Sequence, residues 1–148
     1  MSRLIKEFIE ECSVFGSFPF YLFLIFFFLI LNSYKLVLYL FLGLIFSFLF
    51  VILIKIFYFK DRPVKKDYKN IFEKWDASTF PSLHSWRAAL LFVIFSYYYK
   101  SIYIGILLGI ISILVFYSRY SLKRHFVKDI IFGAIFGIIH GILMIIFI

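Results

Sequence analysis

Five stretches of this chain, residues 14–31, 36–59, 82–99, 102–117 and 127–148, are too apolar for water to be their solvent. The hydrocarbon core of a bilayer, about 30 Å thick, needs about 20 apolar residues per spanning helix, and several of these runs approach that length. The chain is 64% hydrophobic and carries 23 Phe, against roughly 45–50% apolar residues in soluble domains. A soluble core of 148 residues could not hide so much Phe and Ile. The expected fold is therefore an all-α integral membrane protein: a bundle of about five transmembrane helices in a single domain, 1–148, with no repeat and no flexible linker.

The N-terminal residues 1–12 differ from the runs that follow. Leu4, Ile5, Phe8, Ile9 and Cys12 recur at helical spacing, and Arg3, Lys6, Glu7, Glu10 and Glu11 cover the other face. That pattern predicts an amphipathic helix lying in the membrane interface. Its acidic residues, with no small-residue cleavage site after them, argue against a cleavable signal peptide.

The net charge is +8, concentrated in short polar segments between the apolar runs. Such clustering fits anionic lipid headgroups or a phosphorylated substrate and not nucleic acid. The single cysteine, Cys12, excludes an internal disulfide and every Cys-rich metal site. Counting sides, the polar segments 60–80 and 119–124 follow two and four spans, so both share a membrane face with the N-terminus. The opposite face receives two short turns and the C-terminus. Chemistry gathered on one side suits a surface site and not a through-membrane pore.

Three polar clusters fall on that face. In the first, Lys55 precedes Arg62-Pro63 by seven positions; alone, Lys55 reads as a lysine snorkelling to the interface. The second is Pro81-Ser82-Leu83-His84. Pro81 stops an upstream helix and Ser82 suits an N-cap, which leaves first-turn amides free for an anion; alone, it is an ordinary cap beside an interfacial histidine. The third is Ser118-Arg119, then His125, then Asp129. Its spacing predicts His125 and Asp129 one turn apart on one helix face, with the carboxylate orienting the ring and Arg119 holding an oxyanion. A basic lipid-contacting loop would explain the charges but not that register. Taken together, Lys55, Arg62 and Arg119 supply three cations, and His84 and His125 two nucleophilic or proton-transferring groups. That is a phosphoryl-transfer site in outline. The chain offers no carboxylate cluster for a metal, so positive side chains take its place.

These clusters resemble the signature of the type-2 phosphatidic acid phosphatase family, also called the lipid phosphate phosphatase and vanadium haloperoxidase superfamily: Lys-x6-Arg-Pro, Pro-Ser-Gly-His, and Ser-Arg-x5-His-x3-Asp. Only Leu83, in place of the glycine, departs from it. The resemblance implies that His125 is the nucleophile forming a phosphohistidine, that Asp129 orients it, and that His84 protonates the leaving oxygen and then activates water. Lys55, Arg62, Ser82, the Leu83 amide and Arg119 would hold the phosphate, without metal or cofactor. Leu83 still donates an N–H if its φ is negative, and its side chain could line a lipid entrance.

The expected activity is hydrolysis of a lipid phosphate or pyrophosphate, with lipid A 1-phosphate, undecaprenyl pyrophosphate, phosphatidylglycerophosphate and phosphatidic acid as candidates. A phosphotransferase on the same scaffold, or a non-catalytic membrane protein, are the alternatives. The expected partners are the bilayer and its lipid substrate, with no nucleic acid and no obligate protein. Bacterial membrane members usually have six spans; here the N-terminal helix would stand where the first is missing. The positive-inside rule would turn the basic face to the cytoplasm. The family's lipid-directed members instead imply a bacterial inner membrane and a site facing the periplasm or exterior. His140, between Gly137 and Gly141, reads as an interhelical hydrogen-bonding group outside the site.

Overall fold

The computed structural model describes residues 3–148, so residues 1 and 2 of the expected N-terminal helix lie outside it. Among the described residues every regular element is helical: α1 Arg3–Cys12, a 3-10 turn Ser13–Gly16, α2 Phe18–Ile30, α3 Tyr34–Phe57, α4 Ile71–Ala77, α5 Leu83–Tyr99, α6 Ile102–Ser121 and α7 Val127–Phe147. Helices α3, α6 and α7 are each long and apolar enough to cross a membrane. Phe26, Phe50, Leu53, Ile106, Ile113 and Ile135 are exposed along the bundle, a surface stable only in hydrocarbon.

The N-terminal region departs from the expected interfacial helix followed by a straight span over 14–31. Residues 14–16 belong to the 3-10 turn, and the chain bends by 53° between Arg3–Gly16 and Phe18–Ile30. The break is local chemistry. Ser17 is extended and its hydroxyl accepts from the Phe20 amide, while Pro19 occupies the first turn of α2, so a new helix starts there. At 13 residues, α2 is about 20 Å long and cannot cross the hydrocarbon core alone; joined to the preceding helix, the bent pair can.

Helix α5 lies at the centre of the bundle, with Ser85 to Leu91 all buried. Its backbone is approached by α7 through a stripe of glycines. A Cβ on Gly133 would sit 2.4 Å from the Ser82 carbonyl oxygen, and one on Gly137 2.3 Å from that of Trp86. The absence of side chains at these positions therefore sets the α5–α7 distance. Trp86 Nε1 donates to His140 Nδ1 at 3.2 Å across this contact, the interhelical bond expected of that histidine. Gly137→Leu should lower thermal stability in detergent by well over the 1–3 kcal/mol of ordinary overpacking, because the obstruction is backbone. Gly109→Ala, whose Cβ would meet only Phe92 at 3.8 Å, should be neutral or stabilising by up to about 1 kcal/mol.

Candidate active site

All three polar clusters converge at one end of the bundle. The end of α3 carries Lys55, the following segment Lys60 and Arg62, and α4 Asp76. The first turn of α5 carries Leu83 and His84, the last turn of α6 Ser118 and Arg119, and the α6–α7 connection Arg124 and His125. Arg119 is thus helical, not the start of a loop. A cavity of about 450 Å³ is walled by Lys55, Arg62, Leu83, His84, Arg119 and His125, joined by Ser17, Phe18, Pro19, Phe48, Lys66, Asp76, Arg87 and Arg124. Six basic side chains face it and one carboxylate. Buried charge without a partner is costly, so such a cavity is built for an anion.

Helix α4 is strapped down by its own negative end. The Trp75 carbonyl accepts from Lys55 Nζ at 2.8 Å, and that of Asp76 accepts from Arg62. These are orphan carbonyls of a helix C-terminus, which attract cations. Lys66 pairs with the Asp76 carboxylate, and Arg62 lies 3.7 Å from it. At the other end, Asn70 accepts from the Glu73 amide at 2.8 Å and Glu73 accepts from the Lys69 amide at 2.7 Å, a reciprocal cap.

The N-terminal turn closes the opposite wall. Arg119 Nη1 donates to Ser13 Oγ at 2.7 Å. A Cβ on Gly16 would stand 2.8 Å from the His84 carbonyl oxygen, so only glycine allows this turn to lie against the start of α5. No motif pointed to Ser13, Gly16 or Ser17; this contact joins residues about a hundred positions apart.

His125 is buried and its ring is fixed by Thr79. Nδ1 lies 2.8 Å from the Thr79 carbonyl oxygen and 3.0 Å from Thr79 Oγ1. A carbonyl can only accept, so Nδ1 carries the proton and Nε2 keeps its lone pair. Asp129 does not touch the ring, contrary to the expected helical pair. Helix α7 starts at Val127, so His125 precedes it. Phe126 at the N-cap has no polar side chain, and Asp129 supplies one, its Oδ2 accepting from the Phe126 amide at 3.0 Å. That oxygen also accepts from Thr79 Oγ1 at 2.8 Å, and Oδ1 accepts from Lys60 Nζ at 2.6 Å. The carboxylate therefore reaches His125 through Thr79, and Lys60 neutralises it. Thr79 and Lys60 lie outside the three motifs, and the sequence carried no signal for them.

Two other expected positions stand apart from the cavity wall. Asp129 is fully buried behind His125. Ser82 is also fully buried; its hydroxyl accepts from the Ser85 amide at 3.4 Å and hydroxyl at 2.9 Å, so it caps α5. Leu83 opens α5 without a positive φ, so the departure from glycine strains nothing. Its side chain lines a second, apolar groove of about 280 Å³ with Phe48, Val51, Ile52, Phe72 and Trp75. The groove meets the basic cavity at Phe48, Lys55, Asp76 and Leu83. Among the described residues, no three His, Cys, Asp or Glu side chains gather into a metal-binding group.

Burial, and then the charges of Arg119 and Arg62, push the His125 imidazole far below its ordinary 6.5, to about 2. The fold thus binds the neutral ring. Above about pH 6.5 the folded and unfolded rings are both neutral and stability is complete. As pH falls from there, the unfolded chain takes up a proton that the folded chain refuses, and stability is lost. Acidification from about pH 7.5 to about pH 5 should therefore lower the melting temperature of the wild type more than that of His125→Gln. An equal fall in both would show that His125 is not held neutral.

A model of the PAP2 superfamily matches residues 36–148. Residues before 36, which supply Ser13, Gly16 and Ser17, lie outside that match. The chain is similar to the crystal structure of Aquifex aeolicus LpxE, with a TM-score of 0.82 and 25% identity over 99% of this chain and 88% of that one. It is also similar to the first transmembrane PAP2 type phosphatidylglycerolphosphate phosphatase from Bacillus subtilis, with a TM-score of 0.76 and 23% identity over 99% of this chain and 78% of that one; this second likeness bears on fold alone. Comparison with curated proteins found no match. Three signature elements meeting at one cavity, and a family match over most of the chain, make it a membrane-embedded member of the PAP2 superfamily.

Proposed function

We propose that this protein hydrolyses a lipid phosphate through a phosphohistidine on His125. One observation carries the reading: a histidine whose Nδ1 is tied to a backbone carbonyl, leaving Nε2 as a lone-pair nitrogen, lies in the wall of a strongly basic cavity. Nε2 attacks the phosphorus, and Lys55, Arg62 and Arg119 hold the non-bridging oxygens as charge shifts in the transition state. His84 gives a proton to the bridging oxygen as the lipid leaves. Water then attacks the phosphohistidine, its proton passes to His84, and the P–N electron pair returns to His125. Asp129, acting through Thr79, keeps the ring in the reactive tautomer. Ser82 serves as the cap that sets the first turn of α5, and the Leu83 amide is the phosphate donor on that turn.

The apolar groove beside Leu83 gives the substrate's hydrocarbon chain a path from the bilayer to the basic cavity. This favours a lipid over a soluble phosphate ester. One similar structure is LpxE and another is a phosphatidylglycerolphosphate phosphatase; lipid A 1-phosphate, phosphatidylglycerophosphate, undecaprenyl pyrophosphate and phosphatidic acid form the substrate panel. The chain acts as one domain, and its site faces the periplasm or exterior of a bacterial inner membrane. Purified protein in detergent should release phosphate from at least one of these lipids with a chelator present. Strict dependence on added magnesium, or no release from any lipid, would contradict the reading.

A further inference from the structure

Arg87 belongs to none of the three signature elements, yet it is the most buried cation in the cavity wall, with 3% of its surface exposed. No carboxylate pairs with it among the described residues, and its Nε has no hydrogen-bond partner. The guanidinium stands 5.6 Å from the Phe18 ring centroid, which holds the group in place without neutralising it. Arg87 follows His84 by three residues on α5, so the two side chains share a face of that helix. It therefore stands beside the proton donor for the leaving oxygen.

The charge and the space both exceed what one phosphoryl group needs. Lys66 and Arg62 already offset Asp76, which leaves Lys55, Arg87, Arg119 and Arg124 without a carboxylate at the cavity wall. A water needs about 10–15 Å³ of such cavity volume, so the 450 Å³ present is far more than the four oxygens of one phosphate require.

Resting on the phosphatase reading above, we propose that Arg87 forms a second anion subsite on the leaving-group side, which receives the inner phosphate of a lipid diphosphate. In the reaction, His125 Nε2 attacks the terminal phosphorus. The bond from that phosphorus to the bridging oxygen breaks, and its electron pair stays on the bridging oxygen of the departing lipid monophosphate. His84 protonates that oxygen, and Arg87 binds the remaining negative charge of the same phosphate. Hydrolysis of the phosphohistidine then proceeds as for a monophosphate. Lipid diphosphate and water become lipid monophosphate and inorganic phosphate. With a lipid monophosphate the leaving group is a neutral alcohol, and Arg87 has no anion to hold.

The test compares diacylglycerol pyrophosphate with phosphatidic acid of the same acyl chains, assayed on the full chain in detergent. Arg87→Met should lower kcat/KM on the diphosphate lipid at least tenfold more than on the monophosphate lipid, with Arg87→Lys between. Equal losses on both lipids would overturn the subsite. A second measurement needs no uncharged variant. Methylenediphosphonate should inhibit wild-type hydrolysis of phosphatidic acid at least ten times more strongly than inorganic phosphate, and Arg87→Lys should erode that advantage. Equal inhibition by the two anions, or an advantage untouched by the substitution, would also overturn it. If the wild type released phosphate from neither lipid, the phosphatase reading itself would fail; parallel losses with intact wild-type turnover would remove only the role given to Arg87.

Discussion

Replacing His125 with alanine should lower lipid phosphate hydrolysis by at least about four orders of magnitude, since removing a covalent nucleophile abolishes the path that the rest of the site serves. The loss should fall on kcat and leave the phosphate clamp in place: Lys55, Arg62 and Arg119 hold their positions through bonds that do not involve the imidazole. Vanadate or inorganic phosphate should still bind, and more tightly than to a variant lacking Arg119. Residual turnover within about a hundredfold of wild type would show that His125 does not carry the phosphoryl group, because a general base or a positioning group contributes at that lower level.

The second large effect is expected at Lys60. Its ammonium donates to the fully buried Asp129 carboxylate at 2.6 Å and lies 4.8 Å from the Phe126 ring centroid. Lys60→Met leaves a buried negative charge with only a hydroxyl and an amide as donors. Breaking a buried pair from one side costs about 3–5 kcal/mol. Lys60 keeps some solvent contact, so the low end of that range is expected. Asp129→Asn alone should also destabilise, because Lys60 then has no counter-charge. The double variant should recover much of the loss, giving a coupling of about 2 kcal/mol or more in a thermodynamic cycle. Additive losses would mean that the pair is not a unit. Turnover should fall in step, since Thr79 and the His125 ring depend on where Asp129 stands.

These two residues mark the boundary of what could be read from the sequence. The meeting of His125 with Arg119 in one cavity wall was legible because the two stand six residues apart at the polar end of an apolar run. The apolar runs were legible because a helix in hydrocarbon must be apolar over its length. Lys60 was hidden: it sits among other basic residues, and only the return of the chain from Thr79 to His125 brings it to Asp129. The pairing of His125 with Asp129 was misread for a related reason. Spacing of four residues places side chains together only inside a helix, and the helix starts between them because Asp129 is needed to cap it. The bend at Ser17 follows from capping by a serine with a proline next to it, a signal that the apolar run around it obscured. Ser82 shows the converse. Its motif position pointed to a ligand, while its hydroxyl accepts from the Ser85 amide and hydroxyl and lies fully buried outside the cavity wall.

Covalent transfer to His125 can be trapped. Nitrophenolate leaves p-nitrophenyl phosphate without needing a proton, so in His84→Gln the substrate's phosphoryl group should still pass to His125 while the base that activates water is lacking. That variant, mixed with the aryl phosphate in the presence of a chelator and quenched in alkali, should show a burst of nitrophenol close to one per protein and one phosphoryl group on the peptide containing His125. Turnover with no burst and an unmodified His125 peptide, or the phosphoryl group on another residue, would rule out a phosphohistidine at His125.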